Sequence, residues 1–245
     1  MCLIVLAWQV MPTAPLFVAA NRDEFYDRPA APADWWEDCP HVYAGRDLLA
    51  GGTWLGVTRD GESGSRFAAI TNVRAPHLNK DDAPSRGNLV GDYLKSALTP
   101  AEYIERIRGE SHLFNGFNLL VGDRESLIWF SNHGHDNPLN GQPLPPGVYG
   151  LSNSLLDVRW PKVVRTRAQF SSLLCQQAPE DAYFEMLSDT TPAPDVRLPD
   201  TGVSLEMERM LSSVCIKSST YGTRVSTLVR IPARGSAVLH ERLVR

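Results

Sequence analysis

The chain is poor in the features that mark metal, disulfide or nucleotide proteins. Its four cysteines, Cys2, Cys39, Cys175 and Cys215, lie far apart in 245 residues and make no CxxC or Cys/His ligand pair. That excludes a zinc or disulfide framework of ordinary spacing and fits a reducing compartment, so a cytoplasmic protein is expected. A Gly-rich phosphate loop, HExxH and GxSxG are all missing. Neither sign of charge is concentrated: 24 Lys and Arg face 28 Asp and Glu, for a net charge of −4. Nucleic acids and anionic membranes reward clustered cations, so neither is the expected partner. Long hydrophobic runs are also lacking. The apolar N-terminal segment has no basic leader and is broken by Pro12 and Pro15, which reads as neither signal peptide nor membrane span. With 43% hydrophobic residues the chain can bury a sizeable core, and residues 1–245 are read as a single domain handling a small-molecule substrate or ligand.

Against that background the second residue stands out. Cys2 directly follows Met1, and a small residue there normally lets the initiator methionine be removed. A cysteine at a free N-terminus carries nucleophile and base together, because a thiol of pKa about 8.5 neighbours an α-amine of about 7.7–8.0. No separate histidine or aspartate is then needed to take the thiol proton.

The apolar runs Leu3–Val10 and Leu16–Ala20 flank the turn-forming Pro12-Thr13-Ala14-Pro15 and predict a β-hairpin. Antiparallel pairing returns Asn21, Arg22, Asp23 and Glu24 to the side of Cys2. A second hairpin is expected from Thr53–Thr58 and Phe67–Asn72 around the Gly- and Ser-rich Asp60–Ser65 segment. Helices are expected at Leu89–Ala97, Ala101–Arg108, Pro161–Leu174, Glu180–Leu187 and Leu205–Leu211. Further strands are expected at Phe117–Gly122, Ser126–Phe130, Val148–Ser152, Val214–Lys217, Thr223–Arg230 and Ala237–Val244, with a Pro-rich loop through Pro192–Pro199. Strands on both sides of a helical middle point to antiparallel sheets covered by helices.

Candidate chemistry gathers around Cys2. Arg22 beside a thiol favours thiolate, while Asp23 or Glu24 can hold an α-ammonium or orient an amide. Asn72 and Asn153 each close an expected strand, and an asparagine N–H suits an oxyanion, where loss of one donor costs about 10²–10³ in rate. Arg224 enters a late strand and either lies at the surface or points into the site. Trp35 and Trp36 are loop candidates for a substrate entrance, although packing of the loop onto the core is the commoner role. His133 and His135 sit among Gly, Asn and Pro, so a solvated turn is expected and no metal site.

Taken together, Met1-Cys2-Leu3, Asn21-Arg22-Asp23-Glu24, Ala44-Gly45-Arg46-Asp47, Gly52-Thr53-Trp54-Leu55-Gly56, Thr71-Asn72-Val73-Arg74, Ser85-Arg86-Gly87, Phe117-Asn118-Leu119-Leu120, Leu151-Ser152-Asn153 and Tyr221-Gly222-Thr223-Arg224 resemble the NRDE family, also called the transport and Golgi organisation 2 family. The resemblance runs nearly end to end, with a small insertion-like departure at Glu62–Arg66. That family in turn resembles the N-terminal nucleophile (Ntn) hydrolases, particularly the penicillin V acylase and bile-salt hydrolase branch. The resemblance implies an α+β fold, a four-layer αββα sandwich of antiparallel sheets with Cys2 at the sheet mouth. It implies a catalytic set of Cys2, Arg22, Asp23, Asn72, Asn153 and Arg224, acting on a non-peptide C–N amide or related acyl bond without a cofactor. The branch's Arg-x-x-Asp pattern is not reproduced, since Arg22 and Asp23 are adjacent; its spacing selects Asn21 and Glu24, which with Trp35 and Trp36 are the expected substrate-binding residues. Some family members are associated with haem trafficking or lipid metabolism, which implies a second reading, a non-catalytic haem or acyl-ligand binding protein on the same fold.

Overall fold

The computed structural model describes residues 2–61 and 64–244. Met1, Glu62, Ser63 and Arg245 lie outside the described residues, and with them the expected removal of Met1 and part of the insertion-like Glu62–Arg66 segment.

The N-terminal apolar runs form β1 (Cys2–Met11) and β2 (Ala14–Phe25), the expected hairpin. Their register sets Cys2 opposite Arg22 and Leu3 opposite Asn21. Alternation then sorts the side chains. Ile4, Leu6 and Trp8 of β1 and Leu16, Val18 and Ala20 of β2 enter one core, whereas Leu3, Val5, Ala7, Phe17 and Ala19 enter another. Both faces are apolar, so this hairpin is a central element. It is joined by β9 (Gly147–Leu151), β10 (Tyr221–Ile231) and β11 (Val238–Leu243) in a five-stranded sheet of order β11-β10-β2-β1-β9.

The second sheet has the order β3-β4-β5-β6-β7-β8. It comprises β3 (Ala30–Trp36), β4 (Cys39–Asp47), β5 (Leu55–Thr58), β6 (Phe67–Asn72), β7 (Phe117–Gly122) and β8 (Leu127–Ser131). Every pairing in both sheets is antiparallel.

Three apolar clusters separate four layers. One lies between the sheets and unites Ile4, Leu6 and Val18 with Val57, Phe67, Leu120 and Trp129. A second packs the outer face of β4, β6, β7 and β8 under α1 (Gly87–Lys95) and α2 (Pro100–Arg108). The third packs the outer face of β1, β2 and β10 under α3 (Pro161–Cys175) and α4 (Glu180–Leu187). This is the expected αββα sandwich. A short helix, α5 (Leu205–Leu211), follows the Pro-rich segment. No helix among the described residues is long and apolar enough to cross a membrane.

Two sequence expectations need correction. Residues 30–47 contain two strands that the sequence did not announce, and Trp35 and Trp36 belong to β3 rather than to a loop. Conversely, Val214–Lys217 is not a strand. The Cys215 N–H goes to Asp189 O at 2.8 Å and the Ile216 N–H to Thr223 Oγ1 at 2.8 Å, leaving only a bridge between Lys217 and Gly222.

Candidate active site

Cys2 begins β1, and its side chain follows the parity of Ile4 and Leu6 into the space between the sheets. At this end the sheets part around a cavity of about 840 Å³ whose lining includes Cys2, Arg22, Asp23, Glu24, Asn72, Arg86 and Arg224. Cys2 is 8% exposed, so the sulfur lies at the floor.

Burial is the largest influence on that thiol and pushes its pKa up; Asp23 pushes the same way, while Arg22 and a hydrogen bond from the Asp23 backbone N–H oppose it. Arg22 favours the thiolate as expected, but burial outweighs it. Desolvation of a small anion outweighs one guanidinium that is itself shared with carboxylates. Arg22 lies 3.7 Å from Glu24 and 4.0 Å from Asp47, and Asp47 also holds Arg28 at 2.7 Å.

The Asn21–Glu24 tetrad divides between two faces. Asn21 is fully buried and does not line the cavity. Its amide donates to Leu187 O at 2.8 Å and Val214 O at 2.9 Å, and its oxygen accepts from Ser226 Oγ at 2.7 Å. The side chain thus ties β2 to the helical layer, which corrects its expected place among substrate-binding residues. Asp23 has the same parity and accepts from Thr223 Oγ1 at 2.6 Å. Burial raises the Asp23 pKa, with Lys162 and Thr223 acting against the rise.

Arg224 reaches the cavity through a register shift. In a regular strand Thr223 and Val225 would share a face, but β10 is bulged between them. Thr223 turns to Asp23, while Arg224 and Val225 line the cavity. A bulge commonly re-aims a side chain in this way. Arg224 Nη1 donates to the carbonyls of Phe25 at 3.0 Å and Arg28 at 2.9 Å.

The two asparagines occupy different positions. Asn72 ends β6 and lines the cavity. Asn153 is 1% exposed, is not a lining residue, and donates from Nδ2 to the Asn72 carbonyl at 3.0 Å. Thr71 Oγ1 donates to Ser152 O at 2.6 Å, the Arg74 N–H donates to Asn153 O at 2.7 Å, and Ser152 Oγ donates to Cys2 O at 2.9 Å. These bonds clasp the end of β6 to the end of β9 and to the start of β1.

Trp35 and Trp36 lie away from the cavity. Trp36 is buried and donates to Ala44 O at 3.1 Å, and Trp35 packs against Tyr43 with centroids 4.9 Å apart and the rings tilted. Their expected role at the entrance is corrected: they brace β3 against β4.

Sequence reasoning gave no role to Arg86, although Ser85-Arg86-Gly87 was among the motifs. Arg86 immediately precedes α1, lines the cavity, and donates to Gly116 O at 2.9 Å. Burial lowers its pKa, while Glu24 and Cys2 raise it. Its placement depends on a backbone crossing, because a Cβ on Gly52 would fall 2.5 Å from the Gly87 carbonyl carbon. Glycine at 52 lets the segment before β5 pass directly beneath the start of α1.

The profile of the family described as Transport and Golgi organisation 2 matches residues 1–245. The Transport and Golgi organization 2 homolog of Mus musculus is 33% identical over 263 residues, covering 99% of this chain and 92% of its own. The Homo sapiens homolog shares 33% over the same length and shares of the two chains. The Drosophila melanogaster protein shares 30% over 189 residues, 71% of this chain and 63% of its own. Among solved structures, a Caenorhabditis elegans N-acylethanolamine-hydrolyzing acid amidase ortholog aligns over 93% of this chain and 92% of its own, at 13% identity and a TM-score of 0.49.

Proposed function

The chain belongs to the Transport and Golgi organisation 2 family, and we propose that it is an N-terminal nucleophile cysteine hydrolase acting on a non-peptide C–N amide or related acyl bond. The observation that carries this reading is the cross-strand pairing of Cys2 with Arg22 at the floor of the cavity. A sulfur buried for packing alone has no need of a polar cavity in front of it.

With Met1 removed, the Cys2 sulfur attacks the acyl carbon and the α-amine takes the thiol proton. The C–N bond breaks as the amine passes that proton to the leaving nitrogen, leaving a thioester on Cys2. Water attacks the thioester, gives a proton back to the sulfur through the amine, and releases the carboxylic acid. Asn72 donates to the oxyanion from the cavity wall. Asn153, behind the wall, holds the Asn72 backbone in place with an amide N–H. Arg22, Asp23 and Arg224 set the charge around the sulfur. Arg86 adds a cation on the opposite wall, and Glu24 faces the substrate.

The haem reading draws less support from these residues. Among the described residues the cavity lining offers an iron no His, Met or Tyr side chain, and burial pushes the pKa of its sulfur up.

The test is release of amine from a panel of acyl amides by the wild-type protein, Cys2→Ser and Cys2→Ala. Turnover lost in Cys2→Ala supports the assignment. Turnover equal in all three overturns it.

A further inference from the structure

Cys39 opens β4 directly after a tight turn of Glu37 and Asp38, across which it pairs with Trp36. Strand alternation puts residues 39 and 41 on one side of β4. There the Cys39 sulfur lies 3.5 Å from Nδ1 and 3.5 Å from Nε2 of His41. Neither residue lines the cavity around Cys2, and the proposed hydrolysis uses neither.

A third group orients the ring. His41 Nε2 lies 3.2 Å from Leu94 O, in the last turn of α1. A carbonyl only accepts, so Nε2 carries the proton of the neutral ring and Nδ1 keeps a lone pair for the thiol. The last carbonyls of a helix lack intrahelical partners, and that end of the helix favours a cation. The imidazolium formed when Nδ1 takes the thiol proton is therefore stabilised where it stands. The carboxylate next to Cys39 does not compete for that role, because Asp38 is held by Arg46 and, at 3.3 Å, by Lys95.

The pair is open to a reagent, since Cys39 is half-buried and His41 exposed. No group of three or more His, Cys, Asp or Glu among the described residues could hold a metal ion. A nucleophile within reach of a base that is itself oriented by a third group is the arrangement that activates a thiol.

We propose that Cys39 is a thiol-exchange site served by His41, which takes up a thiol group from a low-molecular-weight disulfide. The Cys39 sulfur attacks one sulfur of the disulfide as His41 Nδ1 takes its proton. The S–S bond breaks, and the departing thiolate receives that proton and leaves as a thiol. Cys39 is oxidised to a mixed disulfide while the departing sulfur is reduced, so the disulfide is the only other reactant. This site stands independently of the hydrolase reading of Cys2.

The experiment is incubation of the full chain with oxidised glutathione at pH 7, quenched in acid at intervals, with the mixed disulfide located by peptide mapping in the wild type and His41→Gln. Cys175, the exposed thiol, is the reference within the same molecule. Cys39 should react about tenfold faster than Cys175 although it is less exposed. His41→Gln, whose amide can still donate to Leu94 O, should remove that advantage and leave the Cys175 rate unchanged. Mere uncovering of Cys39 would speed its reaction, so the sign of the change separates a base from a cover. Should His41→Gln fail to fold, the wild-type ratio decides. Reaction at Cys39 no faster than at Cys175, or a Cys39 rate that is unchanged or higher in His41→Gln, overturns the inference.

Discussion

Asn153 donates its side-chain N–H to the backbone carbonyl of Asn72 at 3.0 Å, and this bond joins the two sheets beside Cys2. The two asparagines, which look equivalent in sequence, are thus assigned different work. Asn72→Ala should lower kcat by about 10²–10³ with little change in KM or thermal midpoint, because an oxyanion donor strengthens as charge develops. Asn153→Ala should also lower the thermal midpoint, since it takes that donor from the Asn72 carbonyl at a cost of about 1–3 kcal/mol. Thermal melts of both variants check this, and equal midpoints would contradict it.

A second prediction concerns the four thiols. Cys175 is exposed and Cys39 half-buried, whereas Cys2 and Cys215 are buried, and burial raises the pKa of both buried thiols. Brief labelling with iodoacetamide at pH 7 should therefore mark Cys175 and Cys39 before Cys2. An acyl electrophile that enters the cavity should reverse that order and mark Cys2. Peptide mapping after each reagent reads the two orders. The same order for both reagents would remove the case for a substrate-selective nucleophile.

The glycine crossing gives a third prediction. In Gly52→Ala the new methyl meets backbone of Gly87 and Asn88, which cannot swing aside as a side-chain tip can. The start of α1 must shift, and Arg86 with it. Loss of about 1–3 kcal/mol of stability is expected, together with loss of turnover. Gly51→Ala is a neighbouring control, since nothing lies near its added Cβ, although its φ of +76° strains the backbone. A denaturant titration of the two variants compares them, and equal turnover in both would contradict the role of the crossing.

The legible part of this chain is its apolar periodicity. Leu3–Val10 and Leu16–Ala20 announced the hairpin, and Cys2 beside Arg22 followed from pairing around the Pro-containing turn. What escaped has physical reasons. β3 is an edge strand carrying Pro32 and two register irregularities against β4, so Ala30–Trp36 shows neither an apolar run nor clean alternation. Val214–Lys217 has the composition of a strand, but periodicity does not say where its backbone N–H groups go. The Asn21 side chain illustrates a third loss. The tetrad was placed correctly in sequence and along the strand, yet strand alternation sends Asn21 and Arg22 to opposite faces.

A fourth prediction follows from Lys162 through linkage. Its pKa is about 8 in the folded protein against 10.5 for the free side chain, so between those values the unfolded chain binds more protons. Stability contributed at this position therefore rises as pH increases from about 8 toward 10.5. The thermal midpoint of the wild type relative to Lys162→Met should move in favour of the wild type between pH 7 and pH 10. A gap that stays constant or moves the other way would contradict burial of a titrating ammonium.

The central claim is that Cys2, freed at the N-terminus, is acylated. The most direct measurement is intact mass and peptide mapping of the purified protein before and after incubation with an acyl donor that the enzyme turns over, quenched in acid. The account predicts a chain lacking Met1 that gains one acyl group on its N-terminal peptide in the wild type and none in Cys2→Ala. A protein that retains Met1 yet turns over the donor, or an acyl group carried on any peptide other than the N-terminal one, would contradict it.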